Sequence, residues 1–362
     1  MDYALNIPIN TVSFGQVCTA ILKELYKKEH QPCIFPIGAI ELGTQKEDKD
    51  FFQWIESCCN KSTYSHKRTT PVFKLWHLNG SLATFSDKQL LLTFYELDQP
   101  TREEINVAKN STKMLFTSEE SRRVFEAMGI ENSGTVPLAF DSNNFHAKEK
   151  TYFKDGRVTF NLTGKFEKRK GHEKTIRAWA KKYGNNPKYF LQCAIWNPFL
   201  KPEDNEKIVS HITEGKKYFN INFLGFMPSN DVYNDYLNSA DIILGMSGGE
   251  GWGLPEFHSV ALGKHAVILN CSGYKEWVNE KNATLVPPSG KIEAYDGLFF
   301  HKGQPWNQGN IYNFDEESFL NGCEDALEKF KNNKQNKEGL KLQKEFSYEK
   351  TTDLILKELE GL

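Results

Sequence analysis

An α/β fold of two doubly wound domains is the class this chain predicts, and three observations carry the prediction. Ten short apolar or β-branched runs alternate with longer helical patterns, the rhythm of repeated βα units and parallel sheets. The rhythm breaks once, in the polar, charged stretch 141–157, which has no hydrophobic period, and it starts afresh afterwards. The length of 362 residues is a little over twice the ~150 residues of a typical domain. The expected division is therefore 1–150 and 151–344, with a closing helix over about 345–362. Ligands of doubly wound folds bind at the carboxyl ends of the strands, so functional residues are expected just after strands, in a cleft between the two sheets.

The elements follow in order. In the first domain the runs ALNIPI, CIFPI, VFKLWHL, LLLTFY and KMLFT read as strands. In NTVSFGQVCTAILKEL a strand meets a loop at Ser13, Phe14, Gly15 and Gln16, and a helix then carries Cys18, Ile21, Leu22 and Leu25. LLLTFYELDQPTREE places Glu96 and Asp98 after a strand, Asp98 where it can cap the helix that begins after Pro100. TSEES fits a capping box between Thr117 and Glu120. In the second domain VTFNLTG, YFLQCAI, INFLGF, DIILGM and HAVILN are the strands. FNLTGKFEKRKGHEKTIRAWAKKY reads as a strand, a loop after Gly164, and a helix with Ile176, Trp179, Ala180 and Tyr183 on one face. DALEKFKNNKQNK ends a helix in a charged, Asn-rich tail, and LQKEFSYEKTTDLILKELEGL supplies one more.

Composition narrows the function. Lys and Arg number 45 against 47 Asp and Glu, and residues 1–140 carry 15 basic and 17 acidic side chains. Without a basic half, tight sequence-independent binding to a phosphate backbone is not favoured. The seven cysteines are scattered, with no CxxC pair, and read as reduced thiols. No stretch approaches 18 apolar residues and no leader pattern opens the chain, so a cytoplasmic protein without an integral membrane segment is expected. Neither HExxH nor GxxxxGK[ST] occurs, which argues against a metal site and a P-loop.

The most informative segment is 241–277. A strand ends near Gly245, a loop with Gly248, Gly249, Gly251 and Gly253 follows, and Pro255 then opens a helix close to Leu254. Such an approach leaves backbone N–H groups open at the positive end of a helix, a seat for phosphate. Glu250 stands beside this seat. A carboxylate there is poor design for phosphate alone and makes sense if it accepts hydrogen bonds from sugar hydroxyls.

This segment resembles the retaining glycosyltransferases of family four, whose GT-B architecture sets two Rossmann-like domains about a central cleft. Their signature is a Glu, seven residues and a second Glu. Glu250, GWGLP, ALGKHAVI and GYKEW fit the pattern, and His258 stands in place of the second Glu. The resemblance implies that Gly251, Trp252, Gly253 and Leu254 offer their backbone to the donor and that His258 contacts the ribose. It implies that Lys165 and Lys170, flanking the loop after Gly164, grip the donor diphosphate. Fixed cations stabilise the charge left on a departing nucleoside diphosphate, so no metal ion or other cofactor is required. Lys168, Arg169 and Lys174 read as a solvated charge run. Gly15 and Glu96 are the candidates from the first domain, Glu96 for binding sugar or acceptor hydroxyls or for taking the acceptor's proton.

The function so implied is transfer of a sugar, with retention, from a nucleotide diphosphate sugar to an acceptor hydroxyl of a glycan, lipid or small molecule, a UDP-sugar being favoured over a GDP-sugar. Two other readings stay open. One is glycosylation of hydroxymethylated bases in DNA, which calls for a basic strip such as Lys61, His66, Lys67 and Arg68. The other is a non-catalytic nucleotide-sugar binding module, suggested by the missing second Glu.

Overall fold

The computed structural model describes residues 2–150, 153 and 155–362, which fall into two compact units. The first comprises residues up to Asn144, Gly303–Gly309 and Glu345–Leu362, and the second Phe145–Lys302 and Asn310–Lys344. The expected boundary after residue 150 adjoins positions 151, 152 and 154, which lie outside the described residues.

The first unit is built on six parallel strands, β1 (Ala4–Ile7), β2 (Cys33–Pro36), β3 (Val72–Leu75), β4 (Gln89–Thr93), β5 (Lys113–Phe116) and β6 (Ser133–Thr135), in the order β2-β1-β3-β4-β5-β6. β1, β3 and β4 are buried along their whole length, as strands covered on both faces must be, which is why they read as continuous apolar runs. The crossovers are α1 (Ser13–Lys27), α2 (Lys49–Ser65), α3 (Arg102–Asn110) and α4 (Glu119–Glu126).

Three local expectations for this unit are corrected. Ser13, Phe14, Gly15 and Gln16 are not a loop but the first turn of α1. A Cβ on Gly15 would lie 2.3 Å from Asn10 O, so this glycine lets the preceding backbone press against the helix. α3 is capped by Thr101 and not by Asp98. Thr101 Oγ1 accepts from Glu104 N and Glu104 answers to Thr101 N, so the box sits one step after the proline, where the chain is already extended. The cap of α4 is Ser118, accepting from Ser121 N at 3.2 Å, in place of the Thr117 and Glu120 pair.

The second unit repeats the scheme with β7 (Val158–Thr163), β8 (Tyr189–Ala194), β9 (Ile221–Phe223), β10 (Ile242–Gly245), β11 (His265–Leu269) and β12 (Thr284–Val286), all parallel, in the order β12-β11-β10-β7-β8-β9. α5 (His172–Tyr183), α6 (Pro202–Thr213), α7 (Asn230–Ser239), α8 (Leu254–Ala261) and α9 (Glu316–Asn332) flank it. Phe160, Trp179, Tyr183, Leu191, Val267 and Phe319 are among the residues of its core. An antiparallel hairpin of β13 (Gly290–Glu293) and β14 (Asn310–Asn313) is added after β12, and its connecting residues Gly303–Gly309 belong to the first unit. There Thr101 Oγ1 donates to Pro305 O and Asn307 N to Glu104 Oε1 at 2.9 Å.

The chain closes with two one-turn helices, α10 (Lys337–Leu340) and α11 (Leu342–Glu345), and with α12 (Tyr348–Glu360). The closing helix expected over about 345–362 corresponds to α12, which starts where Ser347 Oγ takes Lys350 N as its N-cap. α12 packs on α1 and β3. It is tied down by Lys28–Asp353 (2.8 Å), Lys113–Glu358 (2.6 Å) and Thr351 Oγ1 donating to Pro137 O (2.8 Å), and it buries Ile355 and Leu359. Among the described residues no helix is long and apolar enough to cross a membrane.

Candidate functional site

β7 and β10 are neighbours at the centre of the second sheet, so the loops after them leave side by side. The first, from Gly164 to Gly171, turns through a short 3₁₀ segment at Lys168–Lys170 before α5. The second runs from Met246 to Gly253 into α8. Glycines let the two loops touch and seat β14 against the second. Gly171 has φ +64° and a Cβ there would lie 2.9 Å from Met246 O, while one on Gly248 would lie 2.0 Å from Tyr312 O. The loops are then stitched by Arg169, whose carbonyl accepts from Gly248 N (2.8 Å) and Ser247 Oγ (3.1 Å) and whose guanidinium donates to Gly249 O (2.7 Å).

A third turn, at Ser272–Glu276, completes the arrangement: Gly273 N donates to Glu250 O and Glu250 N to Ser272 Oγ. Gly253, the residue before α8, has φ +83° and sits so close to Tyr274 that a Cβ would lie 2.1 Å from its ring. The glycines of this loop therefore answer to packing as much as to ligand access.

At the junction lies a buried ion cluster. Lys170 Nζ is 2.5 Å and Arg169 Nη1 3.1 Å from Glu250 Oε1. Arg169 Nε is 2.7 Å from Glu167 Oε2, and Glu167 Oε1 is 2.9 Å from Lys165 Nζ. Lys165 also lies over the Phe299 ring (4.1 Å) and the Phe199 ring (5.0 Å). Burial alone would push Glu250 up, but Lys170 and Arg169 outweigh it and hold the carboxyl down at about 2. Glu167 is likewise held below the usual carboxylate range, Arg169 and Lys165 overriding its burial. Glu256, on α8, is pushed up to about 7 by burial, with the Glu250 charge adding to the rise and Lys170 opposing it. His172, at the start of α5, is driven down to about 3 by burial and by Lys170. At neutral pH the site thus holds ionised Glu250 and Glu167 and an uncharged imidazole at His172.

Of the sequence candidates, Lys165, Gly164, Lys170, Glu250 and Gly251 are brought to this junction. A Cβ on Gly164 would lie 3.5 Å from Lys170 Nζ. Leu254 is half-buried at the opening of α8. Trp252 is only 2% exposed, its ring 5.4 Å from Phe257 and its carbonyl taken by Trp277 Nε1. His258 is buried with its ring 4.6 Å from Phe145. Gly15 and Glu96 lie in the first unit, Glu96 half-buried just beyond β4.

The solvated charge run is corrected for two of its three members. Arg169 is 7% exposed and is the hub of the ion cluster. Lys174 is half-buried, donating to Asn313 Oδ1 (3.0 Å) and Phe314 O. Lys168 is exposed as expected, with its ammonium on Glu293 O and Tyr295 O. Nothing in the local pattern KFEKRKG separates Arg169 from its neighbours, since its partners Ser247, Gly248, Gly249 and Glu250 lie some 80 residues away. Of the basic strip considered for DNA, Lys61 donates to Gln31 O (2.6 Å) and the His66 ring meets Phe85 O (2.7 Å), with Lys67 and Arg68 exposed.

Residues 144–298 match the family described as Glycosyl transferases group 1. No curated protein matches the chain by sequence. Among solved structures it is similar to a sucrose-phosphate synthase from Thermosynechococcus elongatus, with a TM-score of 0.73 and 13% identity over 100% of this chain and 98% of that one. It is similar also to Anabaena Alr3699/HepE in complex with UDP-glucose, with a TM-score of 0.69 and 14% identity over 100% of both chains. A third is WaaG, a glycosyltransferase involved in lipopolysaccharide biosynthesis, with a TM-score of 0.62 and 10% identity over 99% of this chain and 100% of that one. The fold is thus the two-sheet α/β fold of GT-B glycosyltransferases, and residues 144–298 are the part of the chain that is similar to the group 1 family.

Proposed function

We propose that the chain is a retaining glycosyltransferase that moves a sugar from a UDP-sugar to the hydroxyl of a glycan, lipid or small molecule. One observation carries the reading: the loops after two adjacent parallel strands bring Lys165, Lys170 and Glu250 together beside the start of α8. A solved structure of the same fold holds UDP-glucose, which favours a uridine nucleotide.

In this reading Lys165 and Lys170 hold the diphosphate, and their fixed charge stabilises the negative charge that grows as the sugar–phosphate bond breaks. The backbone N–H groups at Gly251, Trp252, Gly253 and Leu254 add to the same end. Glu250, ionised at neutral pH, accepts hydrogen bonds from the sugar hydroxyls and fixes the ring. The acceptor attacks from the face the diphosphate leaves, and the leaving phosphate helps to take its proton, so no protein nucleophile enters the reaction. His258, in the place of the second Glu, is the ribose contact through its imidazole. Glu96 is the first unit's candidate for acceptor hydroxyls.

The test is turnover of UDP- and GDP-sugars by the purified protein, followed as nucleotide release. Lys170→Ala abolishes it, because the departing charge loses its partner. A variant that keeps full activity refutes the diphosphate assignment. Tight donor binding with neither hydrolysis nor transfer would establish a binding module instead.

A further inference from the structure

We infer that Arg169 is a positioning residue for Glu250, keeping that carboxylate charged and aimed at the sugar when Lys170 turns away to the donor's diphosphate. The inference rests on the donor reading above and adds a residue that the sequence placed in solvent.

The two cations on Glu250 Oε1 are held very differently. Lys170 is a compact ammonium on a flexible stem, lying against Gly164, which presents no side chain to it. Arg169 is fixed at both ends. Its carbonyl takes Gly248 N and Ser247 Oγ, and its guanidinium is anchored on Gly249 O (2.7 Å) and Glu167 Oε2 (2.7 Å). A planar fork so anchored keeps its geometry when a neighbour leaves. A phosphate oxygen competes with Glu250 for Lys170, whereas Arg169 stays in place.

The surroundings show why this matters. Facing Glu250 are Lys170 and Arg169 from the loop after β7, with His172 beside them at the start of α5, Glu256 from α8, and the Tyr274 phenol from the turn after β11. Glu167 is engaged with Arg169 and Lys165. Once Lys170 is on the diphosphate, Arg169 is the remaining cation of these groups, and Glu256 opposes the Glu250 charge. Without Arg169 a buried carboxylate next to a second carboxyl takes up a proton, and a protonated Glu250 loses acceptor capacity toward the sugar hydroxyls.

The experiment compares wild type, Arg169→Gln and Arg169→Lys by pH-dependent donor hydrolysis, with thermal melting as a control for folding. The acid limb of kcat reports the donor-bound enzyme and that of kcat/KM the free enzyme. In Arg169→Gln the limb of kcat moves up by a pH unit or more and kcat at neutral pH falls on the order of 10- to 100-fold. The limb of kcat/KM moves less, because Lys170 still faces Glu250 in the free enzyme. Arg169→Lys restores part of the shift. A folded Arg169→Gln with wild-type limbs in both profiles overturns the inference, and so does an equal shift in both. If Arg169→Gln fails to fold, Arg169→Lys decides: an intermediate shift in kcat supports the inference, and no shift overturns it. A wild type that neither binds nor hydrolyses UDP- or GDP-sugars overturns the donor reading itself, a result distinct from any of these.

Discussion

Gly248→Ala tests how the site is built, independently of any ligand. A Cβ on Gly248 would lie 2.0 Å from Tyr312 O and 2.9 Å from Tyr312 C, backbone atoms that do not rotate aside. To relieve the overlap β14 must move away from the loop after β10, parting Tyr312 N from Gly248 O (2.9 Å) and pulling Gly248 N from Arg169 O (2.8 Å). Each buried bond left unmade costs about 1–3 kcal/mol, so the pair amounts to roughly 2–6 kcal/mol. For a unit of this size that corresponds to a fall in melting temperature of roughly 5–20 °C, measurable by calorimetry. Gly225→Ala is the control, since nothing lies within 4 Å of its Cβ position, and it leaves the melting temperature within about 1 °C. A Gly248→Ala protein that melts like the control would refute the close seating of these loops.

Other outcomes follow from the same geometry. Glu256 has its folded pKa raised to about 7 by burial and by Glu250. Its contribution is therefore least unfavourable below the ordinary carboxylate range and is lost as pH rises through about 7, so Glu256→Gln flattens the fall in melting temperature between pH 5 and 8. Glu250 has the opposite sign: its carboxyl is held at about 2, so it stabilises above the ordinary range and loses this as pH falls toward 2. Glu250→Gln removes that acid dependence in a denaturation series. Thr101→Ala removes the cap and one half of the box on α3, which lowers stability by about 1 kcal/mol in urea titration. If lysine charges serve the diphosphate, as proposed, EDTA leaves donor turnover unchanged, and a chelator-sensitive rate would refute that arrangement.

The sheets were legible because parallel strands buried on both faces are written as uninterrupted apolar runs, LLLTF and DIILG among them. What escaped notice lacks that signal. β6 is the three residues SGT at a sheet edge, half-exposed, and β13 is GKIE, exposed throughout. The hairpin it forms with β14 is held by backbone pairing that polar side chains do not advertise. Gly15 was legible as a special position but for the wrong reason, since the constraint comes from Asn10 and falls inside a helix. At the site, Lys170 and Glu250 stand out by their spacing from glycines. Arg169 does not, because a charged residue amid charged neighbours looks solvated until the fold closes over it with partners from a distant loop.

The dependence of the first unit on α12 has a bearing on how the protein is made. Its amino-terminal strands and α1 emerge early, yet the helix that covers α1 lies beyond the whole of the second unit, roughly 320 residues after α1. At about 5–20 residues per second the ribosome needs roughly 15–65 s to reach it. Throughout that interval the surface destined for Ile355 and Leu359 stays bare, a natural landing place for chaperones. The second unit, by contrast, waits on nothing after Lys344 and finishes its own packing first.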